Sequence, residues 1–239
     1  MPNENIMKLK QKKDGEKVLK AISNDRTRTN LIRKPEHRAL VFLVQRIPSS
    51  MNSDTLTFIG LLGSVITLTG FILAAYIHPC YLLLGVFGLA INWFGDSLDG
   101  RLAFYRNKPR KWYGFTLDII IDWISIILIG LGYLLYVAGN WKLAGFGLIV
   151  LYGWSMLITL LRYKVTGKYI IDSGIFGPTE VRLLIAFFLM LEIFFKDIIL
   201  YSAALACIIL FFINIADSVK LLGLANDRDI EEKKSNLSG

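Results

Sequence analysis

Runs of about twenty apolar residues recur along this chain, and each is long enough to cross the hydrocarbon core of a bilayer as a helix. Six such spans are predicted, at 56–77, 81–103, 113–137, 142–162, 181–196 and 198–222, the fifth being the shortest. The composition agrees, with 54% hydrophobic residues, 13% aromatic residues and a mean hydropathy of +0.50. A soluble domain is less apolar than this. The expected fold is therefore an all-α integral membrane protein with six transmembrane helices.

Orientation follows from the basic residues, which gather on the cytoplasmic side of membrane proteins. Twelve Lys and Arg precede the first span. Arg101, Arg106, Lys108, Arg110 and Lys111 follow the second. Arg162, Lys164, Lys168 and Arg182 lie between the fourth and fifth, and Lys220, Arg228, Lys233 and Lys234 lie towards the C-terminus. Only Lys142 and Lys196 fall on the other side. Both termini are thus expected in the cytoplasm. The net charge of +8 belongs to this bias and to contact with anionic lipid headgroups; no nucleic-acid motif accompanies it.

Residues 1–35 are polar and basic and read as a cytoplasmic tail without a cleavable signal peptide. Residues 36–48 mix polar and apolar side chains over a length too short to span, which predicts an N-terminal amphipathic helix lying in the interface and ended by Pro48. The six-helix domain covers 49–224, with Ser53 or Asp54 expected to cap the first span. Residues 225–239 form a polar cytoplasmic tail. The connection at 163–180 is the long one, with Gly167, Gly174, Gly177 and Pro178, and Thr179 is the expected cap of the following helix. Cys80 and Cys207 have neither metal-ligand spacing nor a disulfide framework.

Against this apolar background stand four carboxylates. Asp96 and Asp99 are three apart on the second span; Asp118 and Asp122 are four apart on the third. Each pair falls on one helix face. Both pairs lie near the cytoplasmic ends of spans joined by a cytoplasmic loop, so they can face each other. Carboxylates in or near a bilayer are costly. Facing carboxylates repel, and either take up protons or bind cations. Their all-oxygen character suits Mg²⁺, Mn²⁺ or Ca²⁺ rather than Zn²⁺. Two divalent ions would match four carboxylates in charge and are suited to clamping a pyrophosphate. Gly100, Ala103 and Gly114 on the same faces leave room for a bulky ligand, and the basic loop suits its phosphates.

Asp96, Asp99, Gly100, Ala103, Gly114, Asp118 and Asp122 together resemble the motif Asp-x₂-Asp-Gly-x₂-Ala-Arg-x₈₋₉-Gly-x₃-Asp-x₃-Asp of the CDP-alcohol phosphotransferases. The segment Leu56-Thr57-Phe58-Ile59-Gly60 is more weakly similar to the start of that family's first span, with Ser53 and Asp54 where Pro and Asn are usual. The resemblance implies a six-span enzyme that moves a substituted phosphate from a CDP-linked donor to an alcohol and releases CMP. It implies two divalent cations, Mg²⁺ or Mn²⁺, held by Asp96, Asp99, Asp118 and Asp122, with Asp122 also the general base. It further implies a homodimer and donor contacts from Gly100, Arg101, Ala103, Arg106, Gly114, Asp54 and Thr57. The chemistry alone requires an oxygen base within reach of the hydroxyl and does not select Asp122.

One position departs from the pattern: Phe104 stands where the family has Arg. Arg101 and Arg106 are the neighbours able to replace it. Arg162, Lys168, Glu180 and Arg182 are candidates for an acceptor site, set against simple topology and headgroup contact. CDP-diacylglycerol is the favoured donor, because basic residues could hold an acceptor phosphate; CDP-choline or CDP-ethanolamine with diacylglycerol is the reverse arrangement. A transporter would place its carboxylates mid-membrane between paired broken helices, which this sequence does not do. A non-catalytic relative is the remaining alternative, with Phe104 as its sign.

Overall fold

A computed structural model describes residues 33–167 and 177–237. Among them are seven α-helices and no strand: α1 (Arg33–Val44), α2 (Ser53–Tyr76), α3 (Leu82–Tyr105), α4 (Lys111–Tyr136), α5 (Lys142–Thr166), α6 (Pro178–Phe194) and α7 (Ile198–Leu237). Helices α2, α3, α4, α5 and α7 are long and apolar enough to cross a membrane. Helix α6, with 17 residues, rises about 25 Å, somewhat less than the thickness of a hydrocarbon core. Most of the basic tail, together with Lys168 and Gly174, lies outside the described residues.

The helix ends differ from the sequence reading in instructive ways. Helix α1 stops at Val44, ahead of Pro48, and the Arg46 N–H closes a turn on the Leu43 carbonyl at 2.9 Å. The chain beyond is held by Arg106, whose guanidinium donates to the carbonyls of Ile47, Pro48 and Met51. Pro48 has no N–H to offer the Val44 carbonyl four residues earlier, so the helix cannot continue through it. Asn52, not Ser53 or Asp54, precedes α2, and it makes no side-chain cap. Ser53 instead donates across to the Asp99 carbonyl at 2.9 Å, and Asp54 pairs with Arg110. Partners on neighbouring segments have displaced local capping at both residues.

At α6 the cap is Gly177, not Thr179. Pro178 takes the first helical position, where its missing N–H costs nothing. The Glu180 carboxylate accepts the Gly177 N–H at 3.1 Å. Thr179, released from capping, donates to Glu36 of α1 at 2.9 Å. Helix α3 ends on Asn107 in the left-handed region (φ 54°). There the Lys108 N–H reaches the Ala103 carbonyl at 2.9 Å and the Asn107 N–H the Phe104 carbonyl at 3.0 Å, the double closure of a Schellman motif. The last helix does not end at 222 but runs to Leu237. Arg228 on this extension donates to the Lys164 and Val165 carbonyls and so satisfies the end of α5.

The packing has two apolar clusters with a polar layer between them. One joins Leu40 and Val44 of α1 to Leu56 of α2 and Leu98 and Leu102 of α3, at the end carrying the aspartates. The other joins Phe71, Leu82, Leu89, Tyr133, Leu189 and Ile199 towards the opposite end. Between them α2 and α3 pack backbone to backbone. A Cβ on Gly63 would strike Asn92 and Gly88, and one on Gly95 would strike Gly60 and the Leu56 carbonyl. Small residues permit this approach, as in membrane helix pairs generally. Large apolar side chains such as Phe58, Leu62, Phe87, Phe146, Leu205 and Phe212 face outward, as an apolar surrounding allows.

Candidate functional site

The close α2–α3 contact fixes the first pair of aspartates. Asp96 and Asp99 lie six to nine residues before the end of α3, about 9–14 Å inside it at 1.5 Å per residue. Asp118 and Asp122 lie at a similar depth from the start of α4, the next helix to pack on α2. Carboxylate oxygens of Asp96, Asp118 and Asp122 lie within 4.8 Å of one another. Three negative groups so placed repel strongly unless a cation or a proton intervenes.

Asp99 is not one of this trio. It is buried, and its Oδ2 accepts a hydrogen bond from the Thr57 hydroxyl at 2.6 Å, while Oδ1 accepts from the Gly100 N–H. Thr57, also buried, bonds back to the Ser53 carbonyl at 3.2 Å. Two residues of α2 therefore hold Asp99, one through its backbone and one through its carboxylate. Thr57, expected at the donor site, meets Asp99 here.

Arg182 of α6 brings a cation to the trio. Its Nη1 is 2.7 Å from Asp96 Oδ2, and its Nη2 is 3.7 Å from Asp122 Oδ1. Its Nε donates to Asn92 Oδ1 at 2.7 Å. Asn92 is almost fully buried, and its Nδ2 donates to the Gly60 carbonyl and the Ser64 hydroxyl, both at 3.0 Å, with Ser125 of α4 at 3.5 Å. Buried polar groups need such partners. One asparagine thus links α2, α3, α4 and the arginine of α6.

The other sequence candidates divide. Gly114 opens onto space: among the described residues, no atom outside the adjoining backbone of its own helix lies within 4 Å of where a Cβ would stand. Ala103 is half-buried near the end of α3, and Arg101 donates to the Ser97 carbonyl. Arg106 is engaged with the 47–51 segment, and Asp54 with Arg110. Phe104 is 38% exposed. Arg162 lies on the α5–α7 contact, 3.5 Å from Asp217. Asn214 ties the same two helices through Ser155 (2.6 Å) and the Leu151 carbonyl (2.8 Å). Glu180 serves in the α6 cap. Of the acceptor candidates, Arg182 reaches the motif aspartates, whereas Arg162 and Glu180 are engaged elsewhere.

Sequence reasoning passed over Asn92, Ser64 and Ser125. Their signal was present: Gly60, Gly63, Ser64, Thr67 and Gly70 on α2, and Gly85, Gly88, Asn92 and Gly95 on α3, recur at three- and four-residue steps. Such stripes mark a close helix contact, and the asparagine within one marks a buried polar node. No protein-family model matches the chain, and no curated protein matches it.

Proposed function

We propose that this chain is a membrane-embedded phosphotransferase of the CDP-alcohol type, acting in phospholipid synthesis. The convergence of Asp96, Asp118 and Asp122 within 4.8 Å carries the reading. Their spacing along α3 and α4 is that of the family motif. In this reading α2 to α7 all span the membrane, α6 being the shortest. Helix α1 lies at the cytoplasmic interface, and both termini are cytoplasmic.

The donor set fits two hard divalent cations, Mg²⁺ or Mn²⁺. It is all oxygen, and the single charge of Arg182 offsets only part of what four aspartates carry. Asp96, Asp118 and Asp122 would hold the ions, with Asp99 beside them on its Thr57 and Gly100 bonds. Bound cations would offset the charge of the donor diphosphate and of the leaving CMP. Asp122 takes the proton from the acceptor hydroxyl. The alcohol oxygen then bonds to the β-phosphorus as the bond from that phosphorus to the CMP oxygen breaks. Gly114, with open space around it, leaves the approach clear for the cytidine diphosphate. CDP-diacylglycerol is the favoured donor, entering sideways from the membrane, and a homodimer is the expected assembly.

A second reading, a relative that binds nucleotide without turning it over, is favoured by one pair of observations. Phe104 replaces the family's Arg, and Arg106 is already engaged with backbone carbonyls. Phe104→Arg should then raise donor affinity. The functional reading is tested by heat protection of the purified protein, because a ligand that binds only the folded state raises its stability. With Mg²⁺ or Mn²⁺ present, one class of CDP-linked donor should protect strongly, and chelation should remove the effect. Equal behaviour with and without every donor contradicts it.

A further inference from the structure

Arg182 stands beside two of the three clustered carboxylates that would hold the proposed cations. A carboxylate oxygen binds Mg²⁺ at about 2.0–2.1 Å. The oxygens of Asp96 and Asp122 are instead faced by the two Nη atoms, at 2.7 and 3.7 Å. A guanidinium cannot lose its charge to make way. Beside a divalent ion it must either move or weaken that ion's binding through like-charge repulsion.

The remainder of the side chain is anchored. Nε is bonded to Asn92 at 2.7 Å, and Asn92 is held in turn by Gly60, Ser64 and Ser125. The anchor is on Nε and the aspartate contacts are on the two Nη atoms of the same rigid plane, so the contacts are given up by turning that plane about the Nε–Asn92 bond. Pro178 and the Gly177–Glu180 cap fix the start of α6 only one turn earlier, which limits withdrawal of the whole helix.

We propose that Arg182 is a tethered placeholder cation: it neutralises Asp96 and Asp122 while the site is metal-free and competes with divalent ions for them. This rests on the metal-dependent reading of the site and adds a regulatory element to it. Metal affinity is held down until Arg182 has another anion to face. A phosphate of the donor or acceptor is the group whose paired oxygens suit a planar guanidinium. Metal and phosphate should consequently bind with positive cooperativity, each favouring the conformation in which the arginine has left the aspartates.

Mn²⁺ binding to the detergent-purified protein, followed by loss of the free-ion paramagnetic resonance signal, tests this without recourse to activity. Arg182→Gln should bind Mn²⁺ about tenfold more tightly than the wild type, as expected when one neighbouring positive charge is removed. Its metal-free melting temperature should fall, and Mn²⁺ should raise that temperature by more than in the wild type. Arg182→Lys keeps the charge and should bind Mn²⁺ as the wild type does. Asn92→Ala loosens the tether and should give a smaller gain in affinity, which preserves the test if Arg182→Gln does not fold. Adding CMP to the wild type should tighten Mn²⁺ binding, and the effect should shrink in Arg182→Gln. Weaker or unchanged Mn²⁺ binding in Arg182→Gln and Asn92→Ala overturns the placeholder role. Absence of Mn²⁺ binding in wild type and variants alike overturns the metal site itself.

Discussion

Two carboxylate regions at opposite ends of the helix bundle are built on opposite principles. Near the turn between α6 and α7, the buried Glu192 is surrounded by donors. Its Oε1 accepts from the Tyr136 hydroxyl at 3.0 Å and the Asp197 N–H at 3.1 Å, and its Oε2 from the Ile199 N–H at 2.9 Å. It caps the start of α7 and holds the turn in which Asp197 takes φ 72°. At the other end, the half-buried Asp96, Asp118 and Asp122 converge on each other, and two of them share one guanidinium. A carboxylate kept for structure has its lone pairs filled by fixed N–H and O–H groups. Carboxylates turned towards one another raise the energy of the bare fold unless a cation or a proton offsets their charge. The neighbours, more than the depth, distinguish the two.

Exchanging one charge at each end breaks the comparison most sharply. Asp122→Asn should reduce phosphotransfer by about a hundredfold or more, the usual scale for a general base. Its metal-free thermal stability should hold or rise, since one repulsive charge is gone. Glu192→Gln should do the reverse: its amide offers hydrogens to groups that are themselves donors, costing about 3 kcal/mol, while donor KM for the folded fraction stays unchanged. Thermal melts beside initial rates check both. If Asp122→Asn destabilises as Glu192→Gln does, the aspartate trio is structural.

The glycine contact that sets α3 against α2 gives the next effect. Gly63→Ala drives a methyl into the Asn92 and Gly88 backbone, and overpacking of this kind costs about 2 kcal/mol. Gly114→Ala, facing open space, should leave stability equal or improved by about 1 kcal/mol, as alanine favours helix over glycine. A raised donor KM in Gly114→Ala at full stability would identify that face as the donor's approach. The smallest effect belongs to Thr57→Val. Losing the 2.6 Å bond to Asp99 should cost about 1 kcal/mol, read as a several-fold fall in kcat/KM with little change in melting temperature.

The helices were legible because long apolar runs leave few alternatives, and α2 to α5 begin and end within a few residues of the runs that announced them. The ends were less legible. Ser53, Asp54 and Thr179 each carry the chemistry of a cap, and each is drawn instead to a partner distant in sequence: Asp99, Arg110 and Glu36. The polar character of the C-terminal residues suggested a tail, whereas backbone bonding and Arg228 continue α7 through them. Within the site, the helical spacing of the aspartates predicted their convergence, and the trio follows it. Spacing could not place Asp99 on Thr57, nor choose Arg182 over Arg162 as the arginine that reaches the aspartates. The first depends on how α2 sets against α3, and the second on which face α6 turns towards α3, which no local pattern in the chain encodes.

The most direct test of the central claim is CMP release by the purified protein in detergent–lipid micelles with Mg²⁺ or Mn²⁺. Each CDP-linked donor is crossed with a panel of alcohols, and Asp122→Asn serves as the control. The account predicts metal-dependent CMP release for one donor class, with CDP-diacylglycerol favoured, and its loss in the variant. Release that persists in Asp122→Asn, or no release from any donor–acceptor pair while nucleotide binding is intact, would contradict it.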